Sequence, residues 1–284
     1  MTGSSGDAER IYYVHGKFLP ADKAVIPVDD LAVIRGIGVC DLMRTFKGTP
    51  LFLREHVERL VESARAVELD IRWSCEEIEN IIMETLDKNP SINESNIRTI
   101  ITGGSSSNFM TPNGNPRLLV LITPIPPIPV HWYEKGIKVI TVPFQRDIPK
   151  AKSLSYMKAS LALKQAGAAH ASEALYVDPE GYVTEGTTSN LFAFVNETLV
   201  TAEHGVLKGI TRKAILKAAG EKFPVGMRTL HLDELYKAEE VFISGTNKGV
   251  VPVVQVDDQI IGEGKPGRNT LELIELVQKN RVFC

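Results

Sequence analysis

Four lysines, Lys150, Lys152, Lys158 and Lys164, fall within the eighteen residues PKAKSLSYMKASLALKQA. A lysine is ordinarily a solvated cation. Buried among apolar groups it gives up its proton more readily, and the neutral amine is a nucleophile able to form a Schiff base with an aldehyde. Lys158 and Lys164 lie inside a run that reads as a helix, where lysine is a solvated helix former. Lys150 and Lys152 precede that helix, after a proline-marked loop, and either could point into a cleft. Further along, VTEGTTSNLFAF places Glu185 and a run of small hydroxyl residues between two strands. LKGITRKAIL puts Ile210 and Thr211 at the opening of a helix, where free N–H groups and the helix dipole suit a phosphate. SGTNKG sets Thr246 on a Gly-flanked loop, a second candidate anion nest.

Other chemistry is poorly represented. The six histidines show no HxxxH or HExxH spacing, and no CxxC occurs, so no metal site is indicated. GEGKPG matches G-x-G-x-x-G at Gly262, Gly264 and Gly267. A dinucleotide-dependent oxidoreductase would need a strand after it and an acidic residue about 20 positions on, and the sequence supplies neither.

The elements that must carry these residues are short and mixed. IYYVHGKFLP reads as strand, turn at Gly16, strand, and GVCDLMRTFKGTPLFL as a hairpin about Lys47–Gly48. LREHVERLVESARAVEL is an amphipathic helix with Val57, Leu60, Val61, Ala64 and Val67 on one face. A second helix opens at Ser74, with Glu77 completing a capping box. Strands follow at IRTIITGG and RLLVLITP. PIPPIPV, residues 124–130, holds four prolines in seven positions and reads as a stiff linker. It divides a domain over 1–123 from another over 131–284. The second half reads as a strand IKVITVPF, a helix LSYMKASLALKQAGAAHA, hairpins through EALYVDPEGYVTEG and NLFAFVNETLVTA, a helix GITRKAILKAAGEKF, two strands in EEVFISGTNKGVVPV and a final helix TLELIELVQKN. Hairpins interspersed with helices indicate an α+β fold.

With 284 residues the chain is long enough for two modest domains or one large one. An apolar content of 43%, charged content of 24% and net charge of −3 are ordinary for a globular protein and give no basic surface for nucleic acid or anionic membranes. No apolar run approaches the roughly 20 residues that span a bilayer. The opening MTGSSGDAER has no apolar signal core, and Cys40, Cys75 and Cys284 are far apart and odd in number. The expectation is a reduced, cytoplasmic protein without disulfides.

In order, KSLxxM, VTEGxxSNLF, KGITRxxIL and EVFxSGTxxxVxPV resemble the class IV aminotransferases, which bind pyridoxal 5′-phosphate (PLP). That family includes the branched-chain aminotransferases, the D-amino-acid transaminases and aminodeoxychorismate lyase. The resemblance covers most of the chain, and GVCDLMRTFKGTPLFLREHVERL looks like the family's small-domain hairpin and H-x-x-R-L helix. It implies a two-domain fold type IV enzyme, a small α/β domain and a larger pseudo-barrel domain, working as a homodimer with its site at the subunit boundary. By the same resemblance Lys152, which begins KSL, is the Schiff-base lysine, and Glu185 is the carboxylate beside the ring nitrogen. Arg59, Ile210, Thr211 and Thr246 hold the phosphate, and Ser189 and Asn190 complete the cofactor set. The implied reaction is a ping-pong amino transfer between an amino acid and a 2-oxo acid. Lys152 moves the proton between the substrate Cα and the cofactor C4′.

The substrate residues depart from the family's usual patterns. The Arg-x-His pair of typical D-amino-acid transaminases is replaced by Asn108 and Met110 in TGGSSSNFMTP, and Cys40 stands where a tyrosine is usual. The tyrosine that typical branched-chain enzymes carry five residues after the lysine is Met157 here, beside Tyr156. Arg35, Arg98, Asn247 and Lys248 are the candidate substrate contacts. An ion pair for Arg98 and a solvent-facing Lys248 are the structural alternatives. A pocket with two or three cations suits a dicarboxylate such as 2-oxoglutarate, each carboxylate wanting its own charge-assisted contact. A D-amino-acid transaminase is the first expectation, with a branched-chain L-amino-acid enzyme and a PLP lyase as alternatives.

Overall fold

The computed structural model describes residues 10–279. Its contacts divide the chain into two compact units, one running to Pro126 with Ala151–Ser155, the other made of Pro127–Lys150 and the chain from Tyr156 onward.

The first unit contains β1 (Ile11–Val14), β2 (Lys17–Pro20), α1 (Leu31–Ile34), β3 (Gly38–Phe46), β4 (Thr49–Pro50), α2 (Leu53–Ala66), α3 (Cys75–Asp87), β5 (Ser95–Thr102) and β6 (Arg117–Pro124). The strands form one sheet in the order β2-β1-β6-β5-β3-β4. Neighbouring strands are antiparallel throughout. Strand alternation sends Val39, Met43, Ile97, Ile101, Leu118, Val120 and Ile122 into a core with α2 and α3. The expected helical stripe is the buried face of α2, with Val57, Leu60, Val61 and Ala64 inside. Ser74 and Glu77 form the capping box that starts α3.

The second unit contains α4 (His131–Glu134), β7 (Ile137–Pro143), α5 (Met157–Ala168), β8 (Glu173–Val177), β9 (Tyr182–Gly186), β10 (Asn190–Val195), β11 (Thr198–Thr201), α6 (Ile210–Ala219), β12 (Val225–Met227), β13 (Leu230–His231), α7 (Leu232–Leu235), β14 (Glu240–Gly245), β15 (Gly249–Val256), β16 (Gln259–Ile260) and α8 (Arg268–Lys279). Following the pairings β10-β14-β15-β7-β8-β9 returns to β10, because Asn190 pairs with Glu185. Six strands therefore close on themselves as a barrel. Strands buried on both faces read as continuous apolar runs, as NLFAFV does in β10. Glu185 and Asn190 sit at the pairing that closes the ring.

One expected helix shifts at its start. The helix expected from Leu154 begins at Met157. Leu154 donates its N–H to Gly38 O and Ser153 bridges Val39, so this segment pairs with β3 instead of coiling. The last helix is described to Lys279, and Asn280, the opening nine residues and Cys284 lie outside the described residues. Cys40 and Cys75 are free thiols. Among the described residues no helix is long and apolar enough to cross a membrane, and no cluster of His, Cys, Asp and Glu could hold a metal ion.

Candidate active site

The structure separates the four lysines. Lys150, Lys158 and Lys164 are exposed, whereas Lys152 is half-buried. Its backbone is held on both sides. The Lys152 carbonyl accepts from Cys40 N at 2.8 Å, and Lys152 N donates to Ser63 Oγ on α2 at 3.0 Å. Such close pairing needs a glycine at the start of β3. A Cβ on Gly38 would lie 2.6 Å from Leu154 Cδ1 and 2.8 Å from Ile101 O. Cys40, next to Lys152 in this ladder, is buried. Burial pushes its thiol up, with Lys152 the foremost opposing charge, so a neutral thiol sits beside the amine.

Arg59 is aimed by a buried carboxylate. Its Nε and Nη2 donate to Asp41 Oδ2 and Oδ1, both at 2.8 Å, and His56 Nδ1 lies 2.6 Å from Oδ1. His56 and Arg59 are three apart on α2 and so share a face. Burial opposes the charge on Asp41, yet Arg59 and His56 hold its carboxyl well below the usual carboxylate range. Asp41 escaped the sequence reading, although an aspartate inside the apolar strand GVCDLMRTF is costly without a partner. Ser63, one turn beyond Arg59, lies on the same side of α2, which brings the arginine and the Lys152 segment to one helix face.

In the second unit Glu185 is 4% exposed. Its Oε1 accepts from Arg146 Nη1 at 3.1 Å, and its Oε2 accepts from Leu207 N at 2.9 Å. Leu207 leads into α6, and its carbonyl accepts from Asn190 Nδ2 at 2.8 Å. At the N-cap, Gly209 packs so tightly on Asn190 Oδ1 that a side chain there would collide with it. No side chain caps α6. Its first N–H groups, on Ile210 and Thr211, are those that need an outside acceptor.

Thr246, Asn247 and Lys248 form the turn between β14 and β15. Lys248, expected among the substrate cations or in solvent, is instead paired inside the protein. Its Nζ lies 2.6 Å from Glu173 Oε2 and 2.8 Å from Thr188 Oγ1. Glu173 also accepts from Thr187 Oγ1, from Thr188 Oγ1 at 3.0 Å and from Ser189 Oγ at 3.1 Å. One buried carboxylate therefore ties the 187–189 loop to the 246–248 turn. Burial works against its charge, but Lys248 brings its pKa below the ordinary glutamate value. Asn247 Oδ1 is buried with no hydrogen-bond partner among the described residues.

The two remaining cations belong to the first unit. Arg35 ends α1 and is exposed, donating from Nη1 to Ile34 O at 2.8 Å. Arg98 is exposed on β5, opposite Leu42 on β3, so it shares a sheet face with Cys40 and Ile100. It is among the charges felt by the Cys40 thiol. Among the described residues no carboxylate pairs with either arginine.

These residues fit the cofactor that the sequence implies. The uncapped start of α6 and the cradle at Gly209 suit a phosphate. Glu185 offers acceptor oxygens to a protonated ring nitrogen, and Lys152 is the one lysine of its run withdrawn from solvent.

The chain is similar to known proteins over most of its length. The sequence pattern of the family "Amino-transferase class IV" matches residues 38–256. The "Putative branched-chain-amino-acid aminotransferase" of Methanocaldococcus jannaschii is 36% identical over 273 residues, 93% of each chain. The D-alanine aminotransferase of Staphylococcus haemolyticus is 30% identical over 270 residues, 93% of this chain and 95% of its own. Among solved structures, a branched-chain amino acid aminotransferase from T.th. with pyridoxamine 5′-phosphate superposes with a TM-score of 0.88 at 30% identity, covering 95% of this chain and 93% of that one. The chain belongs to the class IV aminotransferases, enzymes of fold type IV that use PLP to transfer amino groups between amino acids and 2-oxo acids.

Proposed function

We propose that this enzyme is a D-amino-acid transaminase whose acceptor is a dicarboxylic 2-oxo acid, 2-oxoglutarate. When bound, PLP supplies an aldehyde and an electron sink for the electron pair left at the substrate Cα. In this reading the Lys152 amine holds the cofactor covalently, then carries the proton between Cα and C4′. Arg59, Ile210, Thr211 and Thr246 hold the phosphate. Glu185 faces the ring nitrogen, with Ser189 and Asn190 fixing the loops around it. Arg98 and Arg35 take the substrate carboxylates, and Asn247 Oδ1 offers an acceptor beside Thr246.

One observation carries the substrate assignment. Arg98 projects from the same sheet face as Cys40, the residue whose N–H bonds the Lys152 carbonyl, and no protein carboxylate among the described residues neutralises it. A guanidinium so placed is available to a carboxylate held near the lysine. Lys248 takes no part, because Glu173 engages it.

Half-reactions test this. The PLP-loaded enzyme should lose its yellow band on mixing with D-alanine or D-glutamate and keep it with L-leucine, and Lys152→Ala should show no lysine-bound yellow band. The second reading, a branched-chain L-amino-acid enzyme, is favoured by the 36% identity to the Methanocaldococcus jannaschii protein. Bleaching by L-leucine alone would establish it. A homodimer and a cytoplasmic location are part of the proposal. Light scattering on the purified enzyme tests the first and fractionation of the source cells the second.

A further inference from the structure

Arg146 lies between β7 and Lys152, in the loop that leads into the lysine segment. Its Nη1 reaches Glu185 Oε1 at 3.1 Å and Pro149 O at 3.4 Å. The guanidinium side chain is 20% exposed and the carboxylate 6%, so water screens the contact only in part. Glu185 is thus gripped from two directions, by Arg146 on Oε1 and by Leu207 N on Oε2. The Leu207 contact joins it to the start of α6, where the phosphate is expected. The Arg146 contact joins it to the loop that follows β7.

We propose that Arg146 is a positioning residue for the cofactor ring, acting through Glu185. An arginine only donates, so the oxygen it holds can only accept. With Arg146 in place, Glu185 presents a fixed acceptor to the ring nitrogen, and the proton of that contact stays on the ring. A proton moved onto Glu185 would cost it the charge that binds Arg146. Without Arg146 the carboxylate loses its charge-assisted contact on Oε1, and the proton can be shared. This inference rests on Glu185 being the partner of the ring nitrogen.

The test measures PLP binding to apoenzyme and the pH dependence of the bound cofactor's absorbance, in Arg146→Met, Arg146→Lys, Glu185→Gln and the double variant Arg146→Met/Glu185→Gln. Arg146→Met should weaken PLP binding by about tenfold to a hundredfold, the range for one charge-assisted hydrogen bond, and move the pH dependence of the absorbance. Arg146→Lys should recover part of both. In the Glu185→Gln background, Arg146→Met should add little. Wild-type affinity and an unmoved pH profile in Arg146→Met, with Glu185→Gln impaired, would overturn the role of Arg146 alone. An unimpaired Glu185→Gln would overturn the role of Glu185 and that of Arg146 with it. Losses that simply add in the double variant would show that Arg146 acts on the fold and not through Glu185. A melting curve of each apoenzyme identifies a variant that fails to fold, and Arg146→Lys, which keeps the charge, then decides.

Discussion

Among single side chains, what separates the cations of this enzyme is the carboxylate each one meets. Arg59 meets Asp41 and is aimed; Arg146 meets Glu185 and aims it; Lys248 meets Glu173 and ties two loops; Arg98 meets none among the described residues. A charge already paired is a poor trap for a substrate anion, and an unpaired one on a strand beside Lys152 is a good one. Arg98→Ala should raise the KM for 2-oxoglutarate by about tenfold to a hundredfold, with kcat changed much less, since a charged hydrogen bond is worth about 1.5–3 kcal/mol. Steady-state kinetics decide it, and an unmoved KM would remove Arg98 from the substrate site. Lys248→Met should behave in the opposite way. It leaves Glu173 buried without its cation, so the apoenzyme should lose about 3–5 kcal/mol of stability in urea denaturation while the KM for 2-oxoglutarate holds. The double variant Glu173→Gln/Lys248→Met should regain most of that loss. A KM that rose in Lys248→Met without loss of stability would return the lysine to the substrate site.

Among the elements, the joint between β3 and the Lys152 segment is the most demanding. Three contacts of the backbone, Cys40 N to Lys152 O, Leu154 N to Gly38 O and Lys152 N to Ser63 Oγ, determine where the amine starts from. Only a residue without a side chain fits at position 38, because the nearest obstacles are a backbone carbonyl and a packed leucine. Gly38→Ala should cost about 1–3 kcal/mol of stability through overpacking. By displacing the lysine it should also lower kcat by about tenfold to a hundredfold, a larger effect than that stability loss explains. Comparing kcat with the unfolding midpoint on one preparation tests the link, and a normal kcat in a folded variant would break it. The strands and helices themselves were largely legible. Apolar spacing located α2, the Ser74–Glu77 box located the start of α3, and the Asn196–Glu197 turn, both residues with positive φ, located the β10–β11 hairpin. The start of α5 was not, because Ser153 and Leu154 pair with β3, a partner more than a hundred residues away that no local pattern announces.

For the whole molecule, each unit holds a buried carboxylate whose pKa a neighbouring cation depresses, Asp41 in the first and Glu173 in the second. Both folded-state pKa values are depressed. Their contributions to stability are therefore complete above the unfolded values, about 3.9 for Asp and 4.3 for Glu, and are lost as the pH falls through the lower folded values. The denaturation midpoint should fall steeply below about pH 4, and Asp41→Asn should lower it at pH 7 while flattening the acid limb. An acid limb of unchanged slope in Asp41→Asn would show that other groups drive it. The order and types of KSL, TEG, GIT and SGT residues carried the family and its cofactor, because PLP chemistry needs an amine, an acid and phosphate donors whose local turns are encoded within a few residues. Which cations the fold itself engages was decided only by tertiary structure. Arginine and lysine look alike along the chain, and what tells them apart is the distance to a carboxylate carried by another strand: 3.1 Å from Arg146 to Glu185 and 2.6 Å from Lys248 to Glu173.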